Sequence, residues 1–125
     1  MLRHIVLLQV ASDVDLASVD LIISQMEKAA LAVPGAIAFG GGPKKPGSGM
    51  SQGFTHGYTI DFCDEKSRDT YLAELDRDHV GRRLSDITVG GLGGILVMNV
   101  DVRDIRTPGL EPLKDPNKKP QLRWV

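Results

Sequence analysis

Five residues spaced two apart, Phe54, His56, Tyr58, Ile60 and Phe62, carry the pattern that most restricts how this chain can fold. Thr55, Gly57, Thr59 and Asp61 fill the alternate places, so Ser51 to Phe62 reads as a strand with one apolar face. His56 falls on that face. An imidazole in an apolar row needs a hydrogen-bond partner or a ligand, so the question of function begins with what covers this face.

The flanking segments supply candidates. Leu2 to Val10 is rich in branched residues at both parities, as in a central strand covered on two sides. Leu16, Val19, Ile22, Ile23, Met26, Ala30 and Val33 then recur at helical spacing until Pro34 and Gly35 stop the run. Ala36 to Phe39 reads as a short strand, and Gly40 to Gly53 as a glycine- and proline-rich loop with Lys44 and Lys45 at its solvated tip. Beyond the turn at Cys63 and Asp64, Glu65 to about Leu84 is helical, with Tyr71, Leu72, Leu75 and Val80 inward and a break expected across Asp76 to His79. Gly90, Gly91, Gly93 and Gly94 precede an apolar strand, ILVMNVDV, and predict a bulge or a close backbone approach. The order strand, helix, strand, strand, helix, strand is the βαββαβ arrangement of an α+β, ferredoxin-like fold with a four-stranded antiparallel sheet.

Two helices cover only one face of such a sheet. Because the first and last strands are apolar at both parities, the other face is expected to be buried by a second copy, giving a homodimer through the sheet face. Residues 1–102 form one domain, since 125 residues are too few for two of ordinary size. Residues 103–125 read as a proline-rich basic extension, with Pro108, Pro112, Pro116 and Pro120 four apart and a charge of +3 against −4 for the preceding domain. This extension either docks through Leu110, Leu113, Leu122 and Trp124 or is a loose end.

Several classes are disfavoured. A net charge of −1 gives no general attraction for nucleic acid. No stretch approaches the roughly 20 apolar residues of a membrane span, and the run Ile5 to Leu8 is too short for a signal peptide. One cysteine, Cys63, fits a cytoplasmic protein. The glycine-rich loop lacks the Gly-Lys-Ser/Thr ending of a phosphate loop. No metal is expected: antiparallel first and third strands place His4 and His56 at opposite ends, and Asp76-x-x-His79 is a common helical pair.

MLRHIVLL at the start, SQGFTHGYTIDF, and TYL followed by DHVG together resemble the Dabb family, the stress-responsive α/β-barrel domain, over about residues 1–102. The resemblance implies a ferredoxin-like fold that dimerises into an α/β barrel. One branch of that family consists of plant polyketide cyclases, which close a ring by aldol condensation without metal or organic cofactor. For this chain it implies Tyr71 and His79 as catalytic acid and base, and His4 and His56 as pocket histidines. Tyr71 and His79 stand eight residues apart, two more than in the cyclases.

Read as chemistry, a neutral imidazole at His79, oriented by Asp76 or Asp78, can take a proton next to a carbonyl. The plainer reading makes it a surface histidine at a helix break. Likewise His56 is either a substrate-binding wall or a satisfied buried histidine, and Tyr58 either meets a ligand or packs with Phe54 and Phe62. Two functions are therefore expected. One is a small-molecule-binding homodimer with cofactor-free lyase or cyclase chemistry through His79 and Tyr71, its substrate held by His4, His56 and Tyr58. The other is a non-catalytic structural or ligand-binding protein of the stress response.

Overall fold

The computed structural model describes residues 1–106, 108 and 109. In chain order these form β1 (Leu2–Leu8), α1 (Leu16–Leu31), β2 (Ala36–Pro43), β3 (His56–Phe62), α2 (Glu65–Asp78), α3 (Val80–Ile87), a 3-10 turn at Gly91–Gly94 and β4 (Ile95–Asp101). The sheet is antiparallel with order β2-β3-β1-β4, so the fold is the expected ferredoxin-like α+β arrangement. Of the proline-rich extension, residues 107 and 110–125, with the anchors Leu110, Leu113, Leu122 and Trp124, lie outside the described residues.

Local chemistry sets the helix starts. Asp15 accepts from Ser18 N at 2.7 Å and Asp64 from Ser67 N at 2.8 Å, each satisfying an otherwise orphan amide of a first turn. Alternation then assigns the sheet faces. Leu2, His4, Val6 and Leu8 of β1, with Tyr58, Ile60 and Phe62 of β3, turn towards the helices, where the core is completed by Met26, Ala30 and Tyr71. On the other face, Leu96, Met98 and Val100 of β4 stay in water beside half-buried Ile5 and Leu7. The bare face read from the sequence is thus present. Arg3 and Asp61, paired across β1 and β3, lie on it as a two-pronged ion pair of 2.8 and 3.1 Å.

Three local expectations are corrected. Gly40 to Pro43 is strand rather than loop: Gly41 faces Tyr58, where a Cβ would come 2.6 Å from the tyrosine Cβ, so only glycine lets β2 reach β3 under the stacked Phe39 and Tyr58 rings. Residues 51–55 precede β3 instead of belonging to it, because Thr55 turns its hydroxyl and amide onto Leu8 O. The glycines before β4 form a 3-10 turn rather than a bulge; at Gly94 a Cβ would stand 2.5 Å from Val89 O, the close approach that glycines there foretold. The break expected in the second helix is found at His79, whose φ of 54° separates α2 from α3. Among the described residues no helix is long and apolar enough to cross a membrane.

Candidate functional site

The structure brings three of the expected site residues together and keeps two apart. His4, Tyr58 and Tyr71 meet between the sheet and the helices. Alternation on β1 aims His4 at the helices, and the Asp64 cap starts α2 so that Tyr71, two turns on, reaches it. The Tyr71 ring stands edge-on to His4 at 5.9 Å and tilted against Phe62 at 5.6 Å.

Each polar group of this cluster has a definable state. His4 Nδ1 lies 2.9 Å from Asn99 Oδ1, its cross-strand neighbour on β4. An amide oxygen only accepts, so the ring proton sits on Nδ1 and Nε2 keeps its lone pair. Burial lowers the His4 pKa below the ordinary imidazole value; the bond to Asn99 opposes that shift and the positive charge of Arg68 adds to it. His4 is therefore a neutral base at neutral pH. Burial pushes the Tyr71 phenol up to about 12, moderated by the Tyr58 hydroxyl, and raises Tyr58 further still, reinforced by Tyr71. Both phenols are accordingly held as donors. The Tyr71 hydroxyl is directed at Met26 Sδ, 3.8 Å away, a soft and weak acceptor that a carbonyl oxygen would outcompete.

A neutral imidazole next to neutral phenols is the combination that removes a proton and stabilises the oxyanion it creates. At 3% exposure for His4 and Tyr58 and 0% for Tyr71, the cluster is closed, so a substrate reaches it only by displacing side chains or helices. Asn99 was not singled out in the sequence, and Met26 was read only as part of the apolar stripe of the first helix. Asn99 is the one uncharged polar residue of ILVMNVDV, and that was its only signal.

His56 and His79 lie elsewhere. His79 is exposed in the left-handed break after α2. His56 opens β3 opposite Leu8, four pairs along the β1–β3 ladder from His4, half-buried, with Nδ1 2.9 Å from Thr55 Oγ1. It lines a cavity of about 500 Å³. The floor of that cavity, Leu7, Gly42, Gly57 and Leu96, belongs to the bare face of the sheet, and its wall is the segment joining β2 to β3. Among the described residues no cluster of three or more His, Cys, Asp or Glu could hold a metal ion.

Comparison with known proteins agrees with this architecture. The family described as Stress responsive A/B Barrel Domain matches residues 2–92. No curated protein matches the chain. A dimeric ferredoxin-like protein of unknown function from Jannaschia sp. CCS1 is 25% identical, with 81% of this chain and 98% of that one covered at a TM-score of 0.66. The hydroxynitrile lyase from Passiflora edulis is 18% identical over 85% of this chain and 96% of its own, with a TM-score of 0.69. SnoaB, a cofactor-independent oxygenase from Streptomyces nogalater, is 9% identical over 83% and 94%, with a TM-score of 0.64. At such identities the last two share the fold alone.

Proposed function

Since the chain belongs to the stress-responsive A/B barrel domain family, we propose that it is a homodimer, closed sheet against sheet, that binds a small, partly apolar carbonyl compound and moves a proton next to the carbonyl without a cofactor. The observation that carries this reading is the His4–Tyr71 contact: a buried neutral base edge-on to a phenol whose proton is given to a thioether. In this reading His4 Nε2 takes the proton, Tyr71 donates to the developing enolate oxygen, and Tyr58 supports Tyr71. The base role passes from His79 to His4 because His79 stands in solvent at the helix break. Aldol-type ring closure and lyase chemistry by β-elimination both begin with this step. The single cysteine suits a reducing compartment such as the cytoplasm.

Dimerisation is supported by the apolar side chains left in water on the far sheet face, and the Jannaschia protein is described as dimeric. A non-catalytic reading draws on the complete burial of Tyr71, which suits a packing role as well as a catalytic one. Proton exchange separates the two. In D2O the protein is expected to accelerate loss of the α-proton NMR signal from at least one member of a panel of 1,3-diketones and β-keto acids, and His4→Gln to abolish the effect. No acceleration across the panel would leave the non-catalytic reading standing.

A further inference from the structure

We infer that the helix-side face of β4 is a docking strip for this chain's own C-terminal extension, residues 110–125, which lie outside the described residues. The strip is on the opposite side of the sheet from the face assigned to a second copy, and it does not depend on the acid–base reading of His4. Cross-strand pairing defines it: Ile95, Val97, Asn99 and Asp101 stand opposite Leu8, Val6, His4 and Leu2, the buried row of β1, and so share their side of the sheet. That side is covered over β1 but not over β4. Val6 is 2% exposed and its partner Val97 53%, and Asn99 and Asp101 are exposed as well.

The placement of the helices leaves the strip open. α1 packs along β2, and Thr70, Glu74 and Asp78 of α2 share a cleft with Ala29 and Ala32 at the end of α1. Helical periodicity then turns Arg68 and Leu72 to the other flank of α2, the one that overlooks β4. Leu72 is 38% exposed, and Arg68 is near enough for its charge to act on His4.

Starting point, length and charge select the extension as the occupant. Val102 N is bonded to Met1 O at 2.9 Å where β4 ends, and beyond it Pro108 and Gly109, the latter at φ 79°, form a turn that redirects the chain. Residues 110–125 span about 50 Å when extended, about twice the length of β4. They can therefore run the whole strip. α2 begins three residues after Phe62, whose row across the sheet continues through Leu2 to Asp101, so Glu65 and Asp69 stand at the end from which the extension departs. Both carboxylates share the single Arg68, which leaves that end, with Asp101, in surplus of negative charge. The extension carries Lys114, Lys118, Lys119 and Arg123 against Glu111 and Asp115. Its leucines and Trp124 supply hydrocarbon for Val97 and Leu72, and the covalent tether supplies an effective concentration of about millimolar order.

Trp124 is the only tryptophan of the chain, so its fluorescence reports the docking of the extension alone. In the full-length protein its emission is expected to lie to the blue of the urea-unfolded chain and to resist acrylamide quenching. Val97→Lys, which sets a cation in the strip, and Leu122→Asp, which alters only the extension, are each expected to shift it to the red with the far-UV circular dichroism unchanged. Should Val97→Lys lose the fold, Val97→Thr, which keeps the branched shape of a strand residue, takes its place with the same direction of shift expected. Met98→Lys, one residue along but on the opposite face, is expected to leave the emission as in the wild type. Native emission coincident with that of the unfolded chain, or emission unmoved by the Val97 or Leu122 variants, would overturn the inference. So would a red shift in Met98→Lys, because the extension would then be held by the second copy.

Discussion

His4 and Asn99 face each other across the β1–β4 pair with 2.9 Å between Nδ1 and Oδ1, and this contact fixes which ring nitrogen is basic. Because burial holds the folded-state pKa of His4 below its ordinary 6.5, the unfolded chain takes up the proton first as pH falls. Stability associated with His4 is therefore full above pH 6.5 and declines as pH drops from there towards the folded-state value. Melting curves between pH 7.5 and 5, as round working limits, are expected to show this limb, and His4→Gln to flatten it. Asp15 and Asp64, with pKa values lowered by their Ser18 and Ser67 bonds, lose their contribution as pH falls below about 3.8, well past the start of the His4 limb.

Replacing Asn99 by aspartate reverses the sign. A carboxylate facing Nδ1 favours the imidazolium and raises the His4 pKa. Stability from this pair is then expected to be full below pH 6.5 for as long as the aspartate stays ionised, and to be lost as pH rises through the new pKa. An unchanged pH profile for Asn99→Asp, read by the same melts, would show that the two side chains do not communicate.

Tyr58 and Tyr71 share their hydroxyls in a closed space. Tyr71→Phe strands the Tyr58 hydroxyl and is expected to cost about 1–3 kcal/mol, whereas adding Tyr58→Phe should cost little more. Urea denaturation of both single variants and the double variant gives the coupling directly, expected at about 0.5–3 kcal/mol. Additive losses would mean that the phenols are independent.

Met98 is about half exposed on the bare sheet face, beside Leu96 and Val100. Placing a charge there by Met98→Lys is expected to convert a dimer into a monomer in light scattering, without altering the far-UV circular dichroism of the fold. A wild-type protein that is already monomeric at micromolar concentration would refute closure of this face by a second copy.

His79 holds a left-handed conformation, φ 54°, where α2 ends and α3 begins. Glycine adopts that geometry without strain, so His79→Gly is expected to raise stability by about 1 kcal/mol, measured by urea denaturation. His79→Ala keeps the strain and should leave the melting temperature nearly unchanged.

Much of the fold is written in side chains that repeat. Tyr58, Ile60 and Phe62, or Val19, Met26 and Ala30, announce their elements because each buried position carries something to bury. Gly40, Gly41 and Gly42 carry nothing, so a strand there has no period to detect and emerges only from its pairing with β3. The site is harder to read for a different reason. Tyr71 and His79 are near neighbours in sequence, yet one left-handed residue turns the second outward, while His4, 67 positions before Tyr71, arrives beside it through the sheet. His56 obeys its alternation, but as the first residue of β3 it is half-buried and lines a cavity whose floor is the opposite face.

The Arg3–Asp61 fork gives the bare face an unusual tolerance of dryness. Both members belong to one sheet and are joined by two bonds, so a surface laid over them strips water from a pair that has already cancelled its own charge. A lone arginine in that position would repel an oily lid; this one has its counter-ion built into the floor. Asp61→Asn would remove that insurance, and the arginine would then hold the face open to solvent.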